Sequence, residues 1–552
     1  MDDVDLLPIR PEQISQTRRY RKLKKFDDYY HSTQYKGRPD FWKGEDANGD
    51  VVPLRERAPC IIYPLPKACV NQATRFTLGE GRFPTIRIEP VEVTDEEYGN
   101  LALSKEEAEL LTSYCAQIID QACLRANMRT LMRRGMSSGT AVPIMGLRNG
   151  KFCVDMPHAH DTWPVFTAGH VGDVEKLTIC YQFDKLLREG NELKYEKYYH
   201  RRDVDMQQYI VYHDVKVEPG LQKSVRWSVD EAATITHNLG FCPAVWCRNL
   251  ADPYSSDIDG VSLFDGLLSE FDSLNFALSQ RHRGIVFFGV PQPWETGVRQ
   301  NDGPMASGRT AKPKGGDQVD PFHVQTAPAR KAGPDQVWRY ENEKALVGLM
   351  ETTGKSFDAA TKHVTDIRER LLEAMDIVLL DQMKVTGSGD ISAKALALMY
   401  APLLALVDEL RECWWTHGLK QLLSMALRMV AVTGGAGVML PRSAEVATIV
   451  QRFLVDEMWI PPKMIPIWGD YFSPLNSEIL EAVNTANMAL QGGLISHTTA
   501  ANYVGSYFGV EDVQREMVEI EKEKPEELGQ VPGEPAVVKK PKEPAPQELT
   551  EE

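Results

Sequence analysis

Two clusters have residue types and spacings that could do chemistry. Thr353-Gly354-Lys355-Ser356 ends like a phosphate-binding loop, whose backbone amides and lysine would cradle the phosphates of a nucleotide. Such a loop needs four residues between its first glycine and Gly-Lys-Ser, but Gly348 and Gly354 are separated by five. The segment also interrupts a helical pattern and does not follow a strand. A nucleotide site is therefore not expected there. His158 and His160 stand two apart beside Asp161. On a strand both imidazoles would point to one face, as metal ligands must. No third ligand stands nearby in the sequence, and Pro157 and Pro164 frame a turn. A polar turn is the better reading.

The nine cysteines are 60, 69, 115, 123, 153, 180, 242, 247 and 413, and no two form a Cys-x-x-Cys pair. Cys242 and Cys247 have four residues between them but lack a second ligand pair, so zinc ribbons and dithiol redox sites are not expected. Reduced, mostly buried thiols are. No His-Glu-x-x-His motif or EF-hand loop occurs, and no Gly-x-Ser-x-Gly nucleophile elbow is expected. Carboxylates are so numerous that no acid–base pair stands out. The chain is expected to be no enzyme and to need no cofactor and no metal.

The elements must position whatever function there is. The chain has 552 residues and a mass of 62.1 kDa, enough for three or four domains or subdomains. Hydrophobic residues make up 43 % and charged residues 25 %, which excludes a mostly disordered or collagenous chain. The net charge of −16 and pI near 5.4 exclude a protein that coats phosphates with a basic face. No apolar run approaches the roughly 18 residues that span a bilayer; the candidates are short, such as 285–290. The first 25 residues hold no apolar core for a secretory signal. A cytosolic product is expected, with no membrane partner.

Residues 18–25 hold six basic positions in eight and read as one solvated face of a helix. Residues 28–66, rich in Tyr, Gly, Pro and Trp, read as turns and short extended pieces. A helix is expected over about 104–134, opened by a Ser104/Glu107 capping box and closed by Gly135. Short strands dominate 140–250, among them 141–145, 151–154, 177–183 and 208–212. Helix returns over 262–284, with Phe264, Leu267, Leu268, Phe271, Leu274 and Leu278 on one face. Residues 289–336 are loop-rich. Between Arg299 and Lys331 there are six Arg/Lys and three Asp, locally +3 in an acidic protein.

A second amphipathic helix is expected over about 344–380. Its apolar face is Phe357, Ala360, Val364, Ile367, Leu371, Ala374 and Val378; Asp358, Lys362, Asp366, Arg368, Arg370 and Asp376 lie opposite. Residues 381–392 break it, flexible at Gly387 and Gly389. A very long apolar helix then runs over about 393–432, on the order of 60 Å, kinked at Pro402. Further helices follow at 443–471 and 476–523, with Ser496 as one N-cap. Residues 524–552, rich in Pro, Glu and Lys, read as a disordered tail. Two amphipathic helices thus flank a locally basic excursion, and a glycine-bearing loop leads into a long apolar helix. A hairpin with long exposed faces is hard to satisfy in a monomer; packed side by side in a ring, the same faces are buried and enclose a channel.

Several stretches in this order resemble the portal proteins of tailed bacteriophages, from about residue 29 to 523. One is His237-Asn-Leu-Gly-Phe-Cys-Pro-Ala-Val-Trp-Cys-Arg-Asn with Gly260-Val-Ser-Leu. A second is Asp366-Ile-Arg-Glu-Arg-Leu-Leu-Glu, then the loop, then Ser392-Ala-Lys-Ala-Leu, where relatives often have glycine at the place of Ala393. A third is Ile467-Trp-Gly-Asp-Tyr-Phe-Ser-Pro-Leu-Asn-Ser-Glu, followed by Gly492-Gly-Leu-Ile-Ser-His-Thr-Thr-Ala and Val510-Glu-Asp-Val-Gln-Arg-Glu.

The resemblance implies an α+β portal-type fold assembled as a ring. It would comprise an N-terminal wing (1–261), a first stem helix (262–284), a clip (285–345) and a second stem helix (346–380). A tunnel loop (381–392), a long kinked wing helix with its return (393–475), crown helices (476–523) and the tail (524–552) would follow. It implies a homo-oligomer of twelve at one capsid vertex, in the virion and before that in the host cytoplasm. Its partners would be the terminase large subunit, the head-completion adaptor, the major capsid and scaffolding proteins, and double-stranded DNA passing through without sequence specificity.

Twelve copies at −16 would carry about −192, and such a lining lets DNA slide because each neutralised phosphate adds affinity. The tunnel-loop candidates are Lys384, Thr386, Gly387, Ser388, Gly389 and Asp390, with Lys384, the loop's only basic residue, expected to brush phosphates. Packaging and DNA retention that survive both Lys384→Ala and Lys384→Glu would remove that role. The clip candidates for partner docking are Arg309, Lys312, Lys314, Arg330 and Lys331. Other readings are a different virion ring or connector, a nucleotide-driven packaging motor, for which the phosphate loop is missing, and a non-viral binding protein.

Overall fold

Helix α1 (Arg18–His31) forms where the basic cluster was expected to line a helix face. Thr17 caps it by accepting from the Tyr20 N–H, and its apolar side buries Leu23, Phe26 and Tyr29. The structure, a computed structural model, describes residues 17–43, 50–79, 81–91, 101–167, 172–189, 192–217, 227–250, 258–288, 292–296, 346–350, 355–379, 393–455, 458–472, 476–505, 508, 510, 516–517 and 520. The chain divides into two compact units, Met1–Gly387 with Met399–Tyr471, and Ser388–Leu398 with Phe472–Glu552. The fold is mixed α+β.

Helix α2 (Leu65–Leu78) replaces the turns expected near residue 66. Pro66 sits in its first turn, where the missing N–H leaves no helical bond unmade. Helix α3 (Lys105–Gln121) opens on the expected capping box, with Ser104 and Glu107 each accepting from the other's backbone N–H. The helical stretch does not run unbroken, because Cys123 takes a left-handed φ of 50° and α4 (Leu124–Ser138) starts afresh. Gly135 does not close it either. The C-cap is Gly139, at φ 91°, and Gly135 lies inside the helix because a Cβ there would run into the Trp414 ring.

The strands pair antiparallel throughout. β1 (Thr85–Ile88) pairs with β16 (Met464–Ile467), and β2 (Thr140–Ala141) with β11 (Cys247–Arg248). β3 (Ile144–Arg148) and β4 (Lys151–Asp155) form a hairpin. The main sheet runs in the order β10 (Ile235–Thr236), β8 (Gln208–Val211), β7 (Glu192–Val204), β6 (Val174–Glu189), β5 (Thr162–Phe166), with β9 (Val215–Lys216) also on β7. β6 and β7 are far longer than the short strands expected here. Leu177, Ile179 and Val204 of this sheet pack with Leu23 of α1 and with Val142, Ile144, Ala244 and Trp246. Arg19 ties the same helix to the sheet's edge. Its guanidinium donates to Asp259 (2.6 and 2.9 Å) and to the carbonyls of Thr162 (2.7 Å) and Ala159 (3.0 Å).

Helices α5 (Leu268–Phe288) and α6 (Lys355–Ala374) follow, with β12 (Gln292–Thr296) and β13 (Leu346–Met350) between them. The expected single helix over 393–432 is interrupted. α7 (Ala393–Met399) ends at Tyr400, whose φ −99° and ψ 7° are not helical, and Pro402 lies in the first turn of α8 (Ala401–Trp414). A π-helical turn, Trp415–Leu419, joins α8 to α9 (Lys420–Thr433). Leu403, Val407 and Leu410 of α8 and Leu422, Leu423 and Ala426 of α9 are fully buried. α10 (Ser443–Val450) follows, then the β14 (Leu454–Val455) and β15 (Met458–Trp459) pair.

In the second unit, α11 (Asn476–Gln491) and α12 (His497–Gly505) pack on each other. The Ser496 hydroxyl accepts from the Thr499 N–H, as an N-cap should. The third helix expected up to 523 and the tail at 524–552 lie mostly or wholly outside the described residues. All nine cysteines are free and five are buried; burial pushes the Cys242 thiol up to about 12. Among the described residues no helix is long and apolar enough to cross a membrane.

Candidate functional site

Of the two excursions singled out in the sequence, the first lies between α5 and α6 and the second follows α6, so the site is built from those helices outward. Three polar side chains on successive turns of α5 fasten it to the 29–63 segment. Asp272 accepts from the Tyr29 hydroxyl (2.8 Å) and the Tyr35 hydroxyl (2.5 Å). Asn275 donates to the Tyr35 oxygen (3.2 Å) and accepts from the Tyr63 N–H (2.9 Å). The Ser279 hydroxyl accepts from the Ile61 N–H (3.0 Å). Burial first, and the bond to Asp272 second, hold both tyrosine hydroxyls protonated well above the usual range. Residues 272, 275 and 279 share one face, and this face is buried or half-buried while Ser273, Gln280 and Arg283 look outward.

Helix α6 packs along α5. Gly284 permits a close approach: a Cβ there would meet the Phe357 ring at 3.3 Å. Val364, Ile367 and Leu371 are buried as expected, and Leu372 and Met375 join them, while Ala374 is exposed. Asp358, Lys362, Asp366, Arg370 and Asp376 lie on the exposed side, and Arg368 is half-buried. The helix is shorter than expected at both ends. It stops at Ala374 because Asp376 turns left-handed (φ 53°) and the Ile377 N–H closes on the Leu372 carbonyl (2.9 Å). At the other end, 346–350 is a strand and not helix. Its six-residue apolar run 345–350 has no helical period of its own, and β12 supplies a ladder, with Gln292 opposite Met350 and Thr296 opposite Leu346.

The β12–β13 ladder therefore closes the helical hairpin and delivers the 297–345 excursion from its end. Arg309, Lys312, Lys314, Arg330 and Lys331 lie on that excursion, outside the described residues. Lys384, Thr386, Gly387, Ser388, Gly389 and Asp390, between α6 and α7, lie outside them too. The structure describes the helices and the ladder that bracket these candidates.

Lys355 of the phosphate-loop look-alike begins α6 and Gly348 sits within β13, so the segment does follow a strand, contrary to expectation; what still sets it apart from a phosphate loop is the one-residue excess in its glycine spacing. One motif escaped the sequence reading: Gly135-Met-Ser-Ser-Gly139 has the spacing of a nucleophile elbow. It lies in a helix end and not on a strand-to-helix turn. The Ser137 hydroxyl is buried and donates to the Arg134 carbonyl (2.9 Å). The His158–His160 pair does form a turn, a 3₁₀ turn at Ala159–Asp161. The fold adds what the local sequence lacks, Asp27 of α1, whose carboxylate comes within 4.8 Å of both imidazoles. No protein-family model matches the chain, and no curated protein matches it.

Proposed function

We propose that this chain is the portal subunit of a tailed bacteriophage. Twelve copies would close a ring at one capsid vertex and conduct double-stranded DNA during packaging and ejection. The ring would dock the terminase large subunit first and the head-completion adaptor later, and it would meet the major capsid and scaffolding proteins at its rim. No bond is made or broken by the chain in this reading; its work is assembly and passage.

The observation that carries the reading is the α5–β12–β13–α6 hairpin. Its base is stitched by Asp272, Asn275 and Ser279, and its far end is closed by a ladder that holds a locally basic excursion. Such a hairpin gives each subunit a stave that neighbours can pack against. The acidic balance of −16 per chain suits a conduit that must not hold its cargo. The long apolar faces expected on the hairpin are largely buried within the chain. Among the described residues, apolar side chains left bare on it include Ile285 (51 %) and Val286 (48 %), and in the second unit Leu480, Met488 and Leu494 are bare as well. A neighbouring copy would cover these residues.

The variant Ile285→Asp with Val286→Asp tests the assembly directly. Both positions are exposed in the single chain, so its helical circular dichroism is expected to stay unchanged. Two desolvated carboxylates at the interface are expected to cost several kcal/mol per contact, enough to shift the native mass from ring to monomer. Rings that survive the double change would remove the hairpin from the closing interface.

A further inference from the structure

We propose that Asp27, His158 and His160 form a binding site for a divalent transition metal of the zinc class, which pins α1 to the turn that opens β5. The inference stands apart from the ring reading and does not need it. One ligand atom from each residue lies within 4.8 Å of the other two, although the segments are more than a hundred residues apart in the chain. Asp27 sits on α1; His158 precedes the 159–161 turn with extended backbone (φ −73°, ψ 139°), and His160 lies within that turn.

The two imidazole rings lie 5.1 Å apart at 31° to each other. Among the described residues no hydrogen bond reaches a ring nitrogen of either. A neutral imidazole carries one donor and one acceptor, and His160 is only 7 % exposed. Two adjacent imidazoles facing a carboxylate therefore hold lone pairs that a cation can take. A cation at their centre uses all three ligands at once. Metal bonds of about 2.0–2.1 Å place neighbouring ligand atoms about 3.4 Å apart, so the cluster must contract by about 1.4 Å at most. The half-buried His158 side chain, on extended backbone outside the helices, has the freedom to supply that.

The surroundings supply outer partners of the kind metal sites use. Asp161 Oδ2 lies 3.6 Å from His160 Nε2. His31, one turn along α1, puts its Nε2 3.5 Å from Asp27 Oδ1 and so can orient that carboxylate. Lys24 is 3.4 Å from Asp27 Oδ2 but 3.1 Å from Asp28 Oδ1, and Asp28 retains it when Asp27 turns to the metal. Arg134 donates to the Met156 carbonyl, and Arg19 is taken up by Asp259. Two imidazoles and one carboxylate favour Zn²⁺, Co²⁺ or Ni²⁺ over Mg²⁺ or Ca²⁺, which prefer all-oxygen sites.

The experiment uses the full-length chain, stripped with chelator and titrated with Co²⁺ alone while visible absorption is followed. The expected result is one saturable Co²⁺ per chain, displaced by Zn²⁺ and not by Mg²⁺, without the near-ultraviolet bands of thiolate ligation. His158→Asn and Asp27→Asn are each expected to weaken binding at least tenfold with the circular dichroism unchanged. The control His213→Asn, at another site, is expected to leave it intact. Absence of saturable binding in the wild-type chain overturns the proposal. So does binding that both variants retain, or thiolate bands that place the metal on cysteine.

Discussion

Trp414→Ala is expected to lower the stability of the fold by about 3–5 kcal/mol. The side chain ends α8 and is 2 % exposed. Its ring fills the space that Gly135 leaves open in the last turn of α4, and its indole N–H donates to Asn249 Oδ1 (3.1 Å). Asn249 is itself fully buried and donates from Nδ2 to the Val261 carbonyl (2.8 Å). The substitution therefore opens a ring-sized cavity and strands a buried amide oxygen together. Trp414→Phe keeps most of the packing and loses the bond, so about 1–2 kcal/mol is expected for it. Urea unfolding followed by circular dichroism reads both. A loss below about 1 kcal/mol for Trp414→Ala would mean that α4 and α8 are not held together by this ring.

Asp272→Ala is expected to cost about 3 kcal/mol, because it removes the shared acceptor of two buried phenols and each charge-assisted bond contributes about 1.5–3 kcal/mol, not fully additively. Tyr29→Phe and Tyr35→Phe are expected to cost about 1 kcal/mol each, and a double-mutant cycle with Asp272→Ala should show coupling. The pair also sets an alkaline limit. Both folded-state pKa values are raised above the ordinary 10.0, so the folded chain binds more protons than the unfolded one above that pH. Their contribution is complete below about pH 10 and is lost as the pH climbs toward the folded values. The double phenylalanine variant is expected to flatten that slope. Its failure to do so would place the alkaline loss elsewhere. Because Asp272 fastens the base of α5, the same substitution should loosen the hairpin before it unfolds the sheet, which hydrogen exchange along 268–288 can read.

Local signals were legible where the deciding physics is local. The Ser104/Glu107 box and the Ser496 cap each rest on residues within a few positions of one another, and each is found where expected. The basic run 18–25 is helical, but it is not one solvated face, since Arg19 turns inward onto Asp259. Elements decided by distant partners were not legible. Gly135 reads as a helix stop, but the ring that requires it comes from Trp414. The run 346–350 reads as helix until β12 offers it a ladder. Helix α2 hides behind Pro64 and Pro66, which look like turn residues and serve instead as its opening turn. The π-helical turn at Trp415–Leu419 leaves no mark in the apolar pattern. The third member of the histidine cluster, Asp27, was invisible for the same reason. It is brought in by the packing of α1 on the 159–161 turn and by no spacing. The hairpin was legible as two amphipathic helices around a basic loop, but its polar stitching through Asp272, Asn275 and Ser279 was not, since each bond reaches more than two hundred residues back.

The central claim is that copies of this chain close into a ring around a channel. Electron microscopy of the purified full-length protein, with native mass on the same sample, tests it most directly. The ring reading predicts closed particles with a central channel and a mass of twelve or thirteen copies of the 62.1 kDa chain. A stable small oligomer without a channel would contradict it.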